Sequence, residues 1–244
     1  MKKILYILVV LAAIGCGTDR NDDCITSMGV VGSELRELED FTKIYVEDRV
    51  KVVLVQDSAK SGRLELSGPE NLLGQVTSEI ENGELKLRNR NTCNFVRSFE
   101  YELVVKVYFS SINQLTIESI AEVSCEDTVD IDKLEIYHYA LSDIDLLLKG
   151  NEVYIQSRNS AQTTLQGEVK VLKGSVEEIS NLDANNLQCE EALLDSHTKL
   201  DCLLNASKGL YIKIYNTGNV IYSEEPTDYK ILEVSTGSGQ LLKK

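Results

Sequence analysis

The chain has 244 residues, 43% of them apolar, which is room for one large β domain or two small ones and too much apolar content for disorder. Its formal net charge of −14 runs against the clustered Lys and Arg that phosphate binding rests on, which excludes nucleic acid as a partner. An acidic surface also repels anionic lipid headgroups, so a membrane could hold this chain only through an attached lipid.

Residues 1–15 read as a removable export signal. Met1-Lys2-Lys3 is basic, Ile4 to Ile14 is apolar and uncharged, and Ala13-Ile14-Gly15 places small residues ahead of Cys16. The apolar run is shorter than the about 20 residues that span a bilayer. The segment resembles the end of a bacterial lipoprotein signal, which implies a mature chain that starts at a lipidated Cys16 and is held in the membrane by acyl chains. Residues 16–40, acidic at Asp19, Asp22 and Asp23, then read as a tether, and residues 41–244 as the folded domain.

Six cysteines stand at positions 16, 24, 93, 125, 189 and 202. In an exported chain disulfides persist. With Cys16 lipidated an odd number remains, so at least one thiol is free or bonded to another molecule. The favoured pair is Cys24 with Cys93, both in polar, loop-like settings, and closing that long loop would stabilise by roughly 4 kcal/mol. Cys125, Cys189 and Cys202 read as small buried hydrophobes as readily as bridged residues.

From Phe41 onward the apolar residues alternate: Ile44 and Val46, then Val50, Val52 and Leu54, Leu64 and Leu66, Leu85 and Leu87, and Leu103 to Phe109. The period is two, which predicts strands. Asn82-Gly83 between two such runs predicts a two-residue hairpin. Beyond Ile112 the chain repeats, with Gln114-Leu115-Thr116-Ile117, Lys133-Leu134-Glu135-Ile136 and Glu152-Val153-Tyr154-Ile155 starting 19 residues apart, weaker copies near Leu172 and Leu193-Leu194, and Gly209-Leu210-Tyr211-Ile212 last. A second short β segment follows within most units, so that six units fill residues 112–226. A unit this short cannot bury its own apolar face, but stacked copies share one core. The prediction is an all-β fold, a parallel β-solenoid with coils of about 20 residues, ahead of an ordinary β-sandwich. At about 4.8 Å per stacked strand, six coils predict a rod roughly 25 to 30 Å long.

The chain also resembles a known family. Phe41-Thr42-Lys43-Ile44-Tyr45-Val46, Val50 to Gln56, Gly68-Pro69-Glu70-Asn71-Leu72-Leu73, Asn82-Gly83-Glu84-Leu85-Lys86-Leu87, Asn91 to Arg97 and Gly237-Ser238-Gly239 occur in the order of the head GIN domain, a family described as autotransporter-adhesin heads and common in Bacteroidetes-type lipoproteins. The resemblance spans Phe41 to Gly239. It implies a right-handed β-helix, a cell-envelope location and no established catalytic residue. Family repeats often carry Gly at the turn after the first strand, where this chain has Ile120-Ala121, Tyr139-Ala140 and Ser160-Ala161. That substitution predicts a local change of coil shape, since Gly alone adopts positive φ freely.

Little in the sequence points to catalysis. His138 and His197 lack metal-ligand spacing and read as exposed strand or turn residues, and no metal or cofactor is expected. Asp143 and Asp145 lie two apart on a strand and so share a face, where they could bind a ligand or serve glycoside hydrolysis. Tyr154 and Tyr211 take the outward position of the repeat, in the column that includes Thr116 and Glu135, with Tyr137 and Tyr139 nearby; aromatic rings there could stack on sugars or on a protein. The expectation is a non-enzymatic lipoprotein of the outer membrane, facing the cell surface, that acts as an adhesin toward a protein or carbohydrate ligand. Two alternatives stand beside it: a carbohydrate-active enzyme that uses Asp143 and Asp145, and a structural lipoprotein facing the periplasm.

Overall fold

The alternation of apolar and polar residues turns one side of each segment inward, and in the computed structural model, which describes residues 29–91, 101–227 and 232–244, these segments wind into a solenoid of about six turns. Two long ladders of parallel strands form most of its wall. The first stacks β6 (Glu84–Asn89), β2 (Lys43–Glu47), β8 (Gln114–Ser119), β10 (Val129–Ala140), β11 (Asp143–Ser157), β12 (Gln162–Glu178), β13 (Asn181–Thr198), β15 (Ala206–Ile214) and β17 (Leu232–Ser235). The second stacks β7 (Val104–Phe109), β3 (Lys51–Gln56), β9 (Glu122–Cys125), the opening residues of β11 to β13, then β14 (Cys202–Leu204), β16 (Val220–Tyr222) and β18 (Leu241–Lys243). A third, short ladder joins Val129, Leu148, Gly167 and Leu187 on successive coils.

Each inward position forms a column along the rod. Leu85, Ile44, Leu115, Ile136 and Ile155 stack in one, all buried, and bring apolar side chains from coil after coil into van der Waals reach. Burying such a side chain stabilises by about 1.5 to 3 kcal/mol. Close stacking also demands glycine where backbone crowds backbone. A Cβ on Gly167, whose φ is +105°, would lie 2.1 Å from the Leu148 carbonyl oxygen in the third ladder.

The repeat is real, but its first register differs from the predicted one. Leu115 faces Ile136, 21 residues on, rather than Leu134. The corner after β9 carries two extra residues, and because Leu134 and Ile136 both point inward, a slip of two leaves the apolar pattern unchanged. In the fifth unit Ala192, not Leu193, continues the column of Val153 and Leu172. The turn that ends the first ladder departs from expectation too: Ser119, Asn159 and Glu178 take the left-handed conformation there, at φ of 70°, 69° and 62°. Ala121, Ala140 and Ala161 are buried and need no positive φ.

The region before the repeats folds as an end cap. Lys43 pairs with Glu84 on one side and with Gln114, 71 residues on, on the other, so the intervening chain is laid over one end of the rod. Within it β4 (Arg63–Pro69) runs antiparallel to β7, α1 (Glu70–Leu73) crosses the end with Leu72 and Leu73 buried, and β5 (Val76–Glu81) forms a hairpin with β6. Asn82 and Gly83 sit at φ 52° and 73°, the left-handed pair of a type I′ turn. A further strand, β1 (Val31–Glu37), pairs antiparallel with β4, inside the stretch that the sequence assigns to the tether. Its alternation is inverted, with Val31 and Leu35 exposed and Gly32, Glu34 and Arg36 turned toward the cap, which is why apolar patterning misses it.

Candidate functional site

Outward side chains on the first ladder also form columns, and one wall of the rod gathers its tyrosines. Glu135 faces Tyr154, and three coils later Tyr211 occupies the same column beyond Lys173 and Leu193. Thr116 belongs to the next column instead, between Tyr45 and Tyr137, a consequence of the two-residue shift in register. Past the paired residues the same wall carries a third set: Tyr139 faces Glu118, Arg158 lies over Tyr139, Glu177 faces His197 and Tyr215 stacks on His197.

The rings are held rather than free. Tyr137 lies with its centroid 6.1 Å from Tyr139 and 6.2 Å from Tyr154, the latter edge-on, as their quadrupoles favour. Tyr45 Oη donates to Glu118 at 2.9 Å, Tyr137 Oη to Glu135 at 3.0 Å and Tyr139 Oη to Gln156 at 2.9 Å. Burial, reinforced by the hydrogen bond to Glu135, pushes the Tyr137 hydroxyl up to about 12. Burial and then Glu118 raise Tyr45 in the same direction, so these groups stay protonated as donors. Glu135 is drawn below its ordinary range, first by its bond from Lys133 and then by that from Tyr137.

Farther along the third set His197 stacks on Tyr215 with centroids 4.2 Å apart and planes 8° off parallel. His197, Glu177, Glu178, Ile179, Lys199 and Asn216 line a groove of about 490 Å³. The sequence identifies His197 as exposed, and it is. His138 is not: it is fully buried in the column between Ile117 and Ser157, with Nδ1 3.0 Å from Thr163 Oγ1 and Nε2 3.2 Å from Ser142 Oγ. Burial drives its imidazole down to about 4, so the ring is neutral. Two hydroxyls replace water around it, which is how a histidine occupies an inward strand position.

Asp143 and Asp145 do share an outward face, but on the second ladder, away from the tyrosines. Both are exposed, and Asp145 accepts from Gln166 Nε2 at 2.9 Å. The predicted residues therefore fall on two walls: Tyr154 and Tyr211 share one column, and the aspartates stand apart. Arg158 and the His197–Tyr215 pair are absent from the sequence-based list, although a 19-residue coil places Arg158 beside Tyr139. Among the described residues no group of three or more His, Cys, Asp or Glu could hold a metal, and no helix is long and apolar enough to cross a membrane. Cys125, Cys189 and Cys202 are free thiols. Cys16, Cys24 and Cys93 lie outside the described residues.

These features define a β-solenoid whose outer wall gathers aromatic and charged side chains into columns. Residues 40–226 match the family described as "Putative auto-transporter adhesin, head GIN domain", and the chain belongs to that family. Solved structures agree on the fold. A "putative adhesin" of Bacteroides fragilis superposes with a TM-score of 0.80 at 18% identity, over 88% of this chain and 97% of that one. A "putative adhesin" of Parabacteroides merdae gives 0.64 at 14% identity, over 89% and 98%. A Parabacteroides distasonis protein called a "putative lipid binding protein" gives 0.62 at 17%, over 88% and 97%. No curated protein matches the chain.

Proposed function

We propose that this protein is a lipid-anchored adhesin of the bacterial outer membrane. Residues 1–15 direct export and are removed, Cys16 carries the lipid, the residues up to about position 40 connect it to the fold, and the solenoid projects from the cell surface. Cys24 and Cys93 join in a disulfide in this reading, and the coils wind right-handed, as nearly all parallel crossovers do. The role is binding rather than catalysis, toward a protein or carbohydrate.

The observation that carries it is the first ladder's outer wall, where Tyr137, Tyr139 and Tyr154 stand close together and Tyr45 lies two coils before Tyr137 in its column, each half-buried and most of them oriented by a hydrogen bond. Rigid aromatic side chains with fixed polar tips supply contact area at low entropic cost, the property that enriches them at interfaces. The family's description as adhesins supports the same role.

Two measurements test it. Intact cells treated with a protease too large to cross the outer membrane should lose the protein, and Cys16→Ser should release it from the membrane fraction. Adherence of expressing cells to a mucin-coated surface should fall severalfold in the Tyr137→Ala, Tyr154→Ala double variant. Protection from protease until lysis, or adherence equal to that of cells lacking the protein, overturns the proposal.

A further inference from the structure

Cations on the outer walls mostly pair with a carboxylate on their own or an adjacent coil, as Lys133 does with Glu135, Lys173 with Glu152 and Lys213 with Asp195. Arg158 does not. Among the described residues its guanidinium makes no ion pair or hydrogen bond, and its Nε is buried without a partner. The guanidinium lies over the ring of Tyr139, 4.4 Å from its carbon to the centroid. The carboxylate at the matching position of the next coil, Glu177, is engaged elsewhere, by Ser175 Oγ at 3.2 Å and Gln156 Nε2 at 3.4 Å.

The ring beneath Arg158 is fixed at its hydroxyl tip, and the backbone that carries it is tied to the turn beside Arg158. Gln156 holds the Tyr139 hydroxyl, and Asn159 Nδ2 donates to the Tyr139 carbonyl at 2.9 Å. A guanidinium laid on a fixed aromatic face is oriented in advance, and its fork matches a carboxylate in two-point contact. One coil along opens the 490 Å³ groove of Glu177, Ile179, His197, Lys199 and Asn216, a volume typical of small-ligand sites.

We propose that Arg158 and this groove bind a saccharide that carries a single carboxylate. The carboxylate takes the Arg158 fork, sugar hydroxyls donate to Glu177 and accept from Lys199 and Asn216, and the apolar side of a ring rests on Ile179 and the His197 imidazole. Three features select this chemistry. The unpaired guanidinium calls for an anion, and the carboxylates of Glu177 and Glu178 in the same lining suit hydroxyl donors while repelling a doubly charged phosphate. The chain's net charge of −14 disfavours a polyanion but acts weakly on one charge within a screening length of about 8 Å at physiological salt. Tyr139 serves as a positioning residue for Arg158. The inference deepens the adhesin reading and rests on it.

The test is saturation-transfer NMR on the purified full chain in detergent micelles, with 3′-sialyllactose as the acidic probe and lactose as its neutral counterpart. Transfer is expected to sialyllactose, strongest at the carboxylated ring, and not to lactose. Arg158→Gln should abolish it, Arg158→Lys should weaken binding about tenfold because charge remains without the fork, and Lys149→Gln on the third ladder should change nothing. Circular dichroism melts of both Arg158 variants establish that they are folded. Equal transfer to both sugars, retained binding in Arg158→Gln, or no transfer to sialyllactose overturns the inference. Mucin adherence that persists in Arg158→Gln cells alongside any of these results leaves the adhesin reading standing while this site falls.

Discussion

Replacing His138 by Gln should change the sign of the stability difference between the two proteins as pH falls. In the fold the imidazole is fully buried against the Thr163 and Ser142 hydroxyls, and burial lowers it from 6.5 to about 4. Its folded value lies below its unfolded value, so the unfolded chain takes up the proton first. Stability from neutral His138 is complete above about pH 6.5 and is lost as pH drops toward 4, by about 2 kcal/mol at pH 5 and about 3 kcal/mol at pH 4. Gln keeps an amide donor and acceptor for the two hydroxyls but fits the site less well, at a cost of about 1 to 2 kcal/mol at pH 8. The wild-type chain should therefore be the more stable at pH 8 and the less stable at pH 4. Urea denaturation at pH 8, 6.5, 5 and 4 reads this directly, since all other titrating groups are common to both chains. A stability difference that stays constant from pH 8 to pH 4 refutes the reasoning and means that His138 titrates as it does in water.

Gly167→Ala should destabilise by roughly 3 kcal/mol or more, because the new Cβ meets the Leu148 backbone on a residue at φ +105°. Gly74→Ala, with nothing within 4 Å and a helical φ of −64°, serves as its control and should change the urea midpoint little; equal midpoints for the two variants would count against the steric account. Burial pushes the Cys189 and Cys202 thiols up to about 12. Both should stay unmodified when the native protein is treated with a maleimide at pH 8 and should react in denaturant, as mapped by peptide mass spectrometry; labelling of either in the native state contradicts the buried assignment.

The solenoid was legible because its core is written in the commonest signal a strand has. Ile44, Leu115, Ile155 and Ile212 occur at inward positions of a period-two pattern, and the spacing of the later units discloses stacking. Register was harder to read, for the reason seen at Leu134 and Ile136: moving a strand by two residues preserves which side every residue faces. Only a pairing such as Tyr137 with Thr116 separates the alternatives, and neither residue signals it locally. The cap was harder again. Nothing in Lys43-Ile44-Tyr45 states that its neighbours in space are Glu84-Leu85-Lys86 and Gln114-Leu115-Thr116, because both pairings depend on where a long insertion folds back. His138 was misread for another reason. Its two partners, Ser142 and Thr163, come from the next corner and the next coil, so the sequence around His138 shows nothing that would satisfy a buried ring and the residue reads as exposed.

The same logic explains why the outer wall was only partly legible. A binding surface on a solenoid is made of residues one coil apart, so its contacts join positions that look unrelated along the chain: Tyr139 with Arg158, His197 with Tyr215, and Tyr45 with Glu118 across the insertion. Tyr154 and Tyr211 could be recognised singly because each fills the same slot of one repeat unit. Arg158 could not, since its role depends on Tyr139 one coil before it and on Glu177 one coil after it, the second of which is drawn away by Ser175 and Gln156. Inward columns tolerate exchange among Ile, Leu and Val as long as volume is kept, whereas an outward column changes chemistry with each residue. Two solenoids can thus share one fold at 18% identity, as this chain and the Bacteroides fragilis protein do, because the inward pattern constrains the fold and leaves the chemistry of the outward columns free.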